Sequence, residues 1–562
     1  MKRLILSRLW MLISIIILTT GQAWAQTTPQ KVFNSIKDLR DGAQTNGNQH
    51  DDVVVKFEDS NPATVVAVMK NSEKDYDDEK FVNSFFIVDK SNYGLWVSPK
   101  GVYDKNLFTT WNLKIGSKIT GSIIGDYRQN DSGMPYFGSL LKSVKIGETS
   151  YQTDLTINRD GEASGTKEAV YPCTKVDDVN TIAKNNDAAS YGPYLNTIIQ
   201  VPGTIKKGTN NEYYLVQDEN TGTGTDYRDK RIYFSCSQLP NINIDDYVGT
   251  SGTFEGILIK RKDSESKLIV LKDNFFKVKK IYLDENDAEG RVEYLASQGA
   301  FDGEVDVYVH RTNLVNSAGA WNTICLPFDL NKEEFKNAFG CELTALAKPT
   351  ASDESAHQWT GTVNDKGVLS FTKLADTELT IKAGVPYLMQ ASGEQTCCTK
   401  TVRGSENMTP EELKTEDANY YASVGEKTIT VNAPYEVKAL YNDEIVNGEF
   451  YFRGLYGRKK YVDGSTTTLI ADGGSQKYQY ISTAAGSYLK YLPSGSTLQF
   501  NGMRAYFYFP NWNAENNNAA QDASNGTNAK IHVAVMAAST TGISNISAAE
   551  ASKQAEVYNL SG

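Results

Sequence analysis

The ten residues at positions 321–330, WNTICLPFDL, separate two differently organised parts of this chain. The stretch is too short for a helix, and Pro327 cannot donate a hydrogen bond to a central sheet ladder. Its apolar members are Trp321, Ile324, Cys325, Leu326 and Phe328. We therefore predict a buried strand that turns at the proline. Residues before it have the pattern of small repeated β-modules, and residues after it that of one larger β-domain.

A second strand is indicated just upstream of this stretch. Val305, Val307 and Val309 alternate with Asp, Tyr and His residues, which is the period-two pattern of a half-buried strand. Residues 317–320, SAGA, supply a turn. The two strands together predict a hairpin whose second member lies in the core.

The amino terminus has the features of a cleavable secretory signal peptide, residues 1–25. Basic residues precede an apolar run at 9–18, and an Ala-Trp-Ala site at 23–25 precedes Gln26. No later apolar run approaches the roughly 20 residues of a spanning helix. We expect an exported protein, extracellular or at the cell surface, with no transmembrane segment in the mature chain.

Composition bounds the fold class and the partners. The 562 residues suggest three or four domains of roughly 100–200 residues each. Tyrosine is abundant and long amphipathic periods are scarce, which favours an all-β chain. The formal net charge of -11 makes nucleic acid an unlikely partner, since phosphate binding needs a basic face.

The six cysteines are too sparse for a disulfide scaffold, and no pair has zinc-ligand spacing. They are Cys173, Cys236, Cys325, Cys341, Cys397 and Cys398. We predict free thiols, mostly buried, with a bridge between Cys325 and Cys341 as the alternative in an exported protein.

The first half of the chain contains the same order of elements twice. In the first copy Ser35 is a candidate N-cap for a helix over residues 35–41. Its strand-like runs are 53–55, 63–68, 85–89, 94–97, 115–124 and 136–144. In the second copy a helix is predicted over 174–183, with Thr174 as its cap. The five runs of the first copy from 63–68 onward are matched by 198–205, 213–218, 231–234, 248–254 and 267–272. Two copies of one five-stranded module account for this order.

Each copy has an aromatic strand that ends in Asp, then a short strand, then a long strand marked by glycine. This pattern resembles the OB-fold, a partly open five-stranded barrel, and specifically the tandem OB-like modules of secreted Bacteroidota-type proteins. The resemblance implies an OB-like domain at 26–148, a second at 168–280, and a polar, glycine-bearing linker at 149–167.

The third region, 281–538, resembles a recurring β-domain of the same kind of secreted protein. WNTICLPFDL is followed in the family's order by AGVPYL at 383–388 and GMRAYFYF at 502–509. The resemblance implies an extracellular architecture and no particular reaction. The residues themselves indicate strands broken by turns, with one helix at 332–338 capped by Asn331, and we predict a β-sandwich.

The last residues, 539–562, are interpreted as a linker and the truncated start of another domain. Thr541-Gly542-Ile543 and the terminal VYNLSG resemble the opening of the C-terminal sorting domain of type IX secretion. That domain normally continues through further strands, whereas this sequence stops at Gly562.

No catalytic, cofactor or metal motif stands out. The four histidines are isolated from one another, and no nucleophile-elbow, zinc-protease or phosphate-loop pattern occurs. Residues 284–290, DENDAEG, alternate oxygen-bearing side chains as a calcium loop does, but Ala288 interrupts the ligand series. We interpret this segment as a solvated acidic turn, with calcium as the alternative.

The leading hypothesis is an exported, non-catalytic protein for adhesion or for binding of a glycan or an extracellular protein. Trp96 and Tyr233 are the candidate ligand-binding residues, because their neighbours on the short strands are the apolar core alternates, so these rings should point outward. The alternative is that both rings are covered. An extracellular hydrolase with a carboxylate pair in 281–538 is a second hypothesis. Single-stranded nucleic-acid binding follows from OB-fold analogy alone.

Overall fold

The computed structural model describes most of the chain between residues 30 and 536. The described ranges are 30–45, 49–70, 82–98, 101–104, 106–129, 134–164, 167–183, 193–208, 210–217, 231–236, 239, 241–260, 266–315, 321–349, 367–400, 408–431, 436–442, 447–462, 478–482, 488–490, 497–508 and 531–536. The predicted signal peptide and the segment 539–562 lie outside them.

The predicted all-β class is confirmed, because strands dominate the chain and the helices are short. The strands are β1 (Val32–Phe33), β2 (His50–Phe57), β3 (Ala63–Lys70), β4 (Val82–Val88), β5 (Gly94–Val97), β6 (Lys118–Gln129), β7 (Pro135–Gly138), β8 (Ser143–Ile146), β9 (Thr149–Gln152), β10 (Asp154–Asn158), β11 (Thr174–Lys175), β12 (Ile198–Lys207), β13 (Tyr213–Val216), β14 (Arg231–Ser235), β15 (Ser251–Lys260), β16 (Ser266–Ile269), β17 (Phe276–Asp284), β18 (Phe301–His310), β19 (Asn322–Ile324), β20 (Leu330–Asn331), β21 (Glu342–Pro349), β22 (Gly367–Lys373), β23 (Thr380–Ile381), β24 (Tyr387–Ser392), β25 (Ala422–Thr428), β26 (Glu436–Asn442), β27 (Asn447–Leu455), β28 (Lys459–Val462), β29 (Tyr478–Ser482), β30 (Tyr488–Lys490), β31 (Thr497–Phe500), β32 (Arg504–Tyr508) and β33 (Ile531–Met536). The helices are α1 (Ile36–Thr45), α2 (Leu107–Trp111), α3 (Val179–Ala183), α4 (Arg291–Ser297), α5 (Lys332–Phe339) and α6 (Pro410–Glu416), with single 3-10 turns at Ile244–Tyr247 and Asp376–Glu378. Within the described ranges, no helix combines the length and the apolar character that crossing a bilayer requires.

The first module contains strands β1 to β10. Five of its strands pair in a cyclic order: β3 with β4, β4 with β5, β5 with β7, β7 with β6, and β6 with β3. Alternate residues of these strands, such as Val65, Leu95 and Val97, fill one core together with Ile36 and Leu39 of α1. The predicted N-cap is confirmed, since the Ser35 hydroxyl accepts a hydrogen bond from the Asp38 amide at 3.0 Å.

The second module, β11 to β17, repeats this cyclic order. β12 pairs with β13, β13 with β14, β14 with β16, β16 with β15, and β15 with β12. The pairing of β14 with β16 is parallel, as is that of β5 with β7. The predicted helix begins later than expected, because Thr174 pairs with Ile199 in a short parallel strand and the Asp178 side chain accepts from the Asn180 amide at the start of α3.

The segment 149–167, predicted to be a linker, is instead folded onto the first module. β9 forms a hairpin with β8, and β10 adds antiparallel to β6. Leu155 and Ile157 of β10 pack against the core of the first module. After β10, Gly161 meets Gly116 backbone to backbone, so that a Cβ on Gly116 would lie 2.0 Å from the Gly161 carbonyl oxygen. In this otherwise polar segment, the alternating residues Leu155 and Ile157 give β10 one apolar face.

The two modules are docked against each other. One apolar cluster contains Val66 and Phe86 from the first module and Ile198 and Ile257 from the second. At its side the backbones touch, since a Cβ on Gly94 would lie 2.1 Å from the carbonyl oxygen of Asn196. Asn196 also donates from Nδ2 to the Pro135 carbonyl at 3.1 Å. The modules therefore share an interface that the polar sequence between them did not indicate.

The boundary predicted at residues 280 and 281 falls inside a strand. β17 (Phe276–Asp284) pairs with β15 of the second module through its first half and runs parallel to β18 of the third region through its second half. A single apolar core extends from the second module into the third region. The second module and the third region therefore form one continuous folded unit.

WNTICLPFDL is buried as predicted, and the three motifs of the third region meet around it. Trp321 is 4% exposed. β19 pairs with β24, which begins within AGVPYL, and the Cys325 amide donates to the Met503 carbonyl at 3.3 Å. The predicted hairpin is wrong, because β18 pairs with β17 and β25, whereas β19 pairs with β24 in a separate ten-stranded sheet.

The helix predicted at 332–338 is confirmed as α5. The Asn331 side chain accepts from the amides of Glu333 and Glu334, both at 3.0 Å, and Glu334 accepts from the Asn331 amide at 2.9 Å. This capping box satisfies donors that the first turn leaves open. The helix buries Phe335 and Phe339.

Candidate functional site

A cleft of about 300 Å³ lies where the first module, the second module and the segment between them meet. We call it the inter-module cleft. Val66 and Ile115 contribute to it from the first module, and Ile198 and Leu271 from the second. Its volume is at the lower end of the roughly 300–1,000 Å³ typical of ligand pockets, which occur preferentially at domain interfaces.

Strand alternation places these side chains in the cleft. In β3, Val65 faces the core of the first module, whereas its neighbour Val66 faces the second module. In β12, Ile199 lies in the core of the second module and Ile198 on the opposite face. One face of each strand therefore packs in the core of its own module. The apolar residues of the other face, Val66 and Ile198, line the cleft.

One carboxylate, that of Glu255, organises the polar side of the cleft. Its Oε1 atom lies 2.7 Å from Lys272 Nζ and accepts a hydrogen bond from the Tyr171 hydroxyl at 2.7 Å. Its Oε2 atom accepts from Gln200 Nε2 at 2.8 Å. Burial raises the pKa of Glu255, but the three donors more than offset it and the pKa is lowered. Glu255 is therefore ionised at neutral pH and fully engaged.

The neighbouring groups do not supply a nucleophile. Partial desolvation and the nearby Glu255 raise the pKa of Cys173 to about 11, although the residue keeps much of its surface exposed. A thiol with this pKa is protonated at neutral pH and a weak nucleophile. Burial also raises the pKa of Tyr171. Neither the Cys173 thiol nor the Tyr171 hydroxyl is therefore an ionised nucleophile at neutral pH.

Neither Trp96 nor Tyr233 belongs to the core cluster of its module; Tyr233 is buried and Trp96 is partly buried. Trp96 stacks on Phe86 with ring centroids 6.1 Å apart, meets the edge of Tyr136, and packs against the apolar cluster between the modules. Tyr233 is 6% exposed, and the guanidinium of Arg231 lies 4.6 Å from its ring centroid. The buried Tyr233 ring has no open face for stacking on a sugar or base, and Phe86 occupies one face of the Trp96 ring. Tyr233 is buried, as the alternative expects, whereas Trp96 keeps part of its surface exposed.

A second, more polar cleft of about 630 Å³ lies in the third region. Four carboxylates line it, from Glu304, Asp329, Glu334 and Glu426. Lys382 pairs with Asp329 at 2.7 Å and Lys427 with Glu334 at 2.6 Å. Burial acts against ionisation of Asp329 and Glu334, yet the lysines and backbone amides prevail and lower the pKa of both. A glycosidase acid needs a raised pKa, so neither residue fits that role.

The acidic turn at 284–290 is solvated only in its second half, since Asp284 and Glu285 are buried whereas Ala288 and Glu289 are exposed. Asp284 is buried, lies 3.1 Å from Nδ1 of His310, and accepts from the Tyr420 hydroxyl at 3.0 Å. Asp287 pairs with Arg291 at 2.7 Å. These carboxylates are occupied by protein partners, and the part of the chain that the structure describes contains no cluster of His, Cys, Asp or Glu arranged to hold a metal ion.

Glu285 completes this network with two arginines. Its Oε2 atom lies 2.9 Å from Arg504 and 3.5 Å from Arg311, which is fully buried. The Asp284 and His310 contact resembles the orienting half of a catalytic triad. However, Nε2 of His310 faces the Lys400 carbonyl at 3.3 Å, and the ring stacks on Tyr420 at 3.8 Å between centroids. The arrangement is structural.

All six cysteines are free, including Cys325 and Cys341, so the alternative of a bridge between those two is wrong. Cys173 is exposed and Cys397 is partly exposed, and the other four are buried. His357 lies outside the described residues.

Sequence reasoning missed Tyr171, Glu255 and Lys272. The available signal was the alternation of β15, where Phe254 and Leu258 are core residues and Glu255 must face outward. Tyr171, Glu255 and Lys272 come together only in the folded chain. Because they are far apart in the sequence, no local sequence pattern indicates that they meet. Comparison with known proteins adds no assignment, since no protein-family model and no curated protein matches the chain.

Proposed function

We propose that this chain is an exported, non-catalytic protein, secreted or at the cell surface, that binds a glycan or an extracellular protein. The observation that carries the proposal is the inter-module cleft, with apolar walls and a single engaged ion network. The secretory pattern of residues 1–25 supports export.

The proposed architecture is a pair of OB-like barrels followed by a β-sandwich, as in secreted Bacteroidota-type surface proteins. The cyclic pairing order of five strands, repeated in both modules, supports the OB-like assignment. The convergence of the three motifs of the third region around Cys325 supports a single larger β-domain. We propose that residues 539–562 begin a sorting domain.

Two other functions are weaker. A hydrolase in the third region would use the carboxylates of the polar cleft, but Asp329 and Glu334 are held ionised by lysines. Nucleic-acid binding would need a basic surface. The inter-module cleft is lined instead by two carboxylates, from Glu168 and Glu255, against one ammonium, from Lys272.

The binding proposal is tested on the mature protein beginning at Gln26. Glycan arrays and immobilised extracellular matrix proteins are probed with the wild type and with Leu271→Arg, which places a charged side chain in the cleft. Val170→Arg is the control, because Val170 is 59% exposed and adjoins the cleft without lining it. We expect binding that Leu271→Arg abolishes and Val170→Arg retains. A wild type that binds nothing on either array would refute the proposal.

A further inference from the structure

The lining of the inter-module cleft is aliphatic where a sugar site would be aromatic and polar. Ile115, Ile198 and Leu271 form its walls, and Tyr171 is its one aromatic residue. The Tyr171 hydroxyl is committed to Glu255, and Lys272 Nζ lies 6.0 Å from the centre of its ring. A pyranose needs a flat ring face and several free donors and acceptors. Here the Tyr171 hydroxyl and the Glu255 carboxylate are already engaged, which leaves few polar groups for a sugar.

The charge at the cleft has the same sign as that of an acidic ligand and therefore disfavours one. Glu168 is exposed at the cleft, and Glu255 is ionised beneath it. Lys272 is the one basic residue in the lining, and its ammonium is neutralised by Glu255 at 2.7 Å. The chain as a whole carries a net charge of -11. Complementary potentials favour a basic ligand and speed its encounter with this surface.

The cleft is held open by the docking of its walls. Gly94 and Asn196 touch through their backbones, and the apolar cluster between the modules lies beside the cleft. A ligand therefore meets an organised surface and does not have to order the two modules first, which lowers the free-energy cost of binding.

We infer that the occupant of the inter-module cleft is a short segment of a partner protein with an aliphatic side chain next to a lysine or arginine. The aliphatic side chain enters between Ile115 and Leu271, and the basic group pairs with Glu168 at the rim. A volume of about 300 Å³ suits one or two side chains and not an oligosaccharide. This inference rests on the proposed binding function and selects protein over glycan as its ligand.

The test is selection of a random-peptide display library on the mature wild-type protein, with removal of peptides that also bind Leu271→Arg. The same wild-type preparation is applied to a glycan array. We expect enriched peptides to carry an aliphatic residue within two positions of Lys or Arg. Enriched peptides that are acidic or lack an apolar residue overturn the inference. Glycan binding that depends on Leu271, without peptide binding, overturns it and leaves the binding function standing. Binding of neither class overturns both.

Affinities of the enriched peptide, measured by fluorescence anisotropy, then locate the site. Leu271→Arg and Ile115→Arg alter opposite walls, and each should weaken binding at least tenfold, whereas Val170→Arg should change it less than twofold.

Glu168→Lys should weaken binding severalfold, and added salt should reduce that difference. Glu148→Lys, an exposed charge reversal away from the cleft lining, is its control. Thermal unfolding checks that each variant is folded, and Leu271→Gln replaces any wall variant that is not. Equal affinities across all variants overturn the assignment to this cleft.

Discussion

The residue Asp284 shows how a buried carboxylate is stabilised by partners from distant parts of the chain. It lies in the acidic turn, and its neighbours are His310 and Tyr420. Burial raises its pKa, but the His310 ring, the Asn286 amide and the Tyr420 hydroxyl together lower the pKa below its ordinary value. Folding therefore favours the ionised form of this group.

This shift gives a prediction of pH dependence. Because the folded-state pKa lies below the unfolded value of about 3.9, the stability contributed by Asp284 is present above about pH 4 and is lost as the pH falls through the folded-state pKa. Asp284→Asn should lower the free energy of unfolding at neutral pH by about 1–3 kcal/mol. The difference from wild type should shrink at acid pH. Urea denaturation across a pH series measures both, with the exposed Asp302→Asn as control. A difference that does not vary with pH would contradict this account.

Trp321 is a structural residue, since it opens the buried stretch of the third region and is 4% exposed. Truncating a buried Trp removes apolar contacts and leaves a cavity, at a cost of about 3–5 kcal/mol. We expect Trp321→Ala to lower the denaturation midpoint accordingly. Tyr103→Ala, at an aromatic residue that is 42% exposed, should cost less than about 1 kcal/mol. Equal stability of the two variants would show that Trp321 is not part of the core.

At the scale of elements, the two modules meet through a close backbone contact between Gly94 of β5 and Asn196. Gly94→Ala would bring a Cβ to 2.1 Å from the Asn196 carbonyl oxygen, a backbone atom that cannot move aside. We expect the modules to separate and the radius of gyration from small-angle scattering to rise. Gly208→Ala is the control, because its nearest atom would be a Tyr214 ring carbon at 3.3 Å. Identical scattering for wild type and Gly94→Ala would argue against this interface.

The elements that could be predicted from sequence are those whose signals are local. Asn331 and Glu334 form the capping box that their spacing indicates, and Leu95 and Val97 face the core as their alternation requires. The burial of the acidic turn could not be predicted, because Glu285 is paired with Arg504, which lies 219 positions later in the chain. A solvated turn and a buried one have the same local sequence.

At the scale of the whole molecule, the units that fold together differ from those that the repeat suggests. A cut at residue 280 divides β17 and the core that it joins. We expect fragments 168–280 and 281–538 to lack a cooperative unfolding transition when expressed alone, and fragment 168–538 to show one. Circular dichroism during heating distinguishes these outcomes. If fragment 281–538 unfolded cooperatively by itself, the domain boundary would lie between residues 280 and 281, as the sequence suggested.

The strand β17 also determines how the protein responds to mechanical load. Its first half is held by β15 and its second half by β18, so tension that pulls the second module from the third region acts along the strand. The ladder between β17 and β18 is parallel, and such a pull loads its hydrogen bonds together in shear and not one after another. Because β17 belongs to both ladders, a force on one of these two parts of the chain is passed directly to the other.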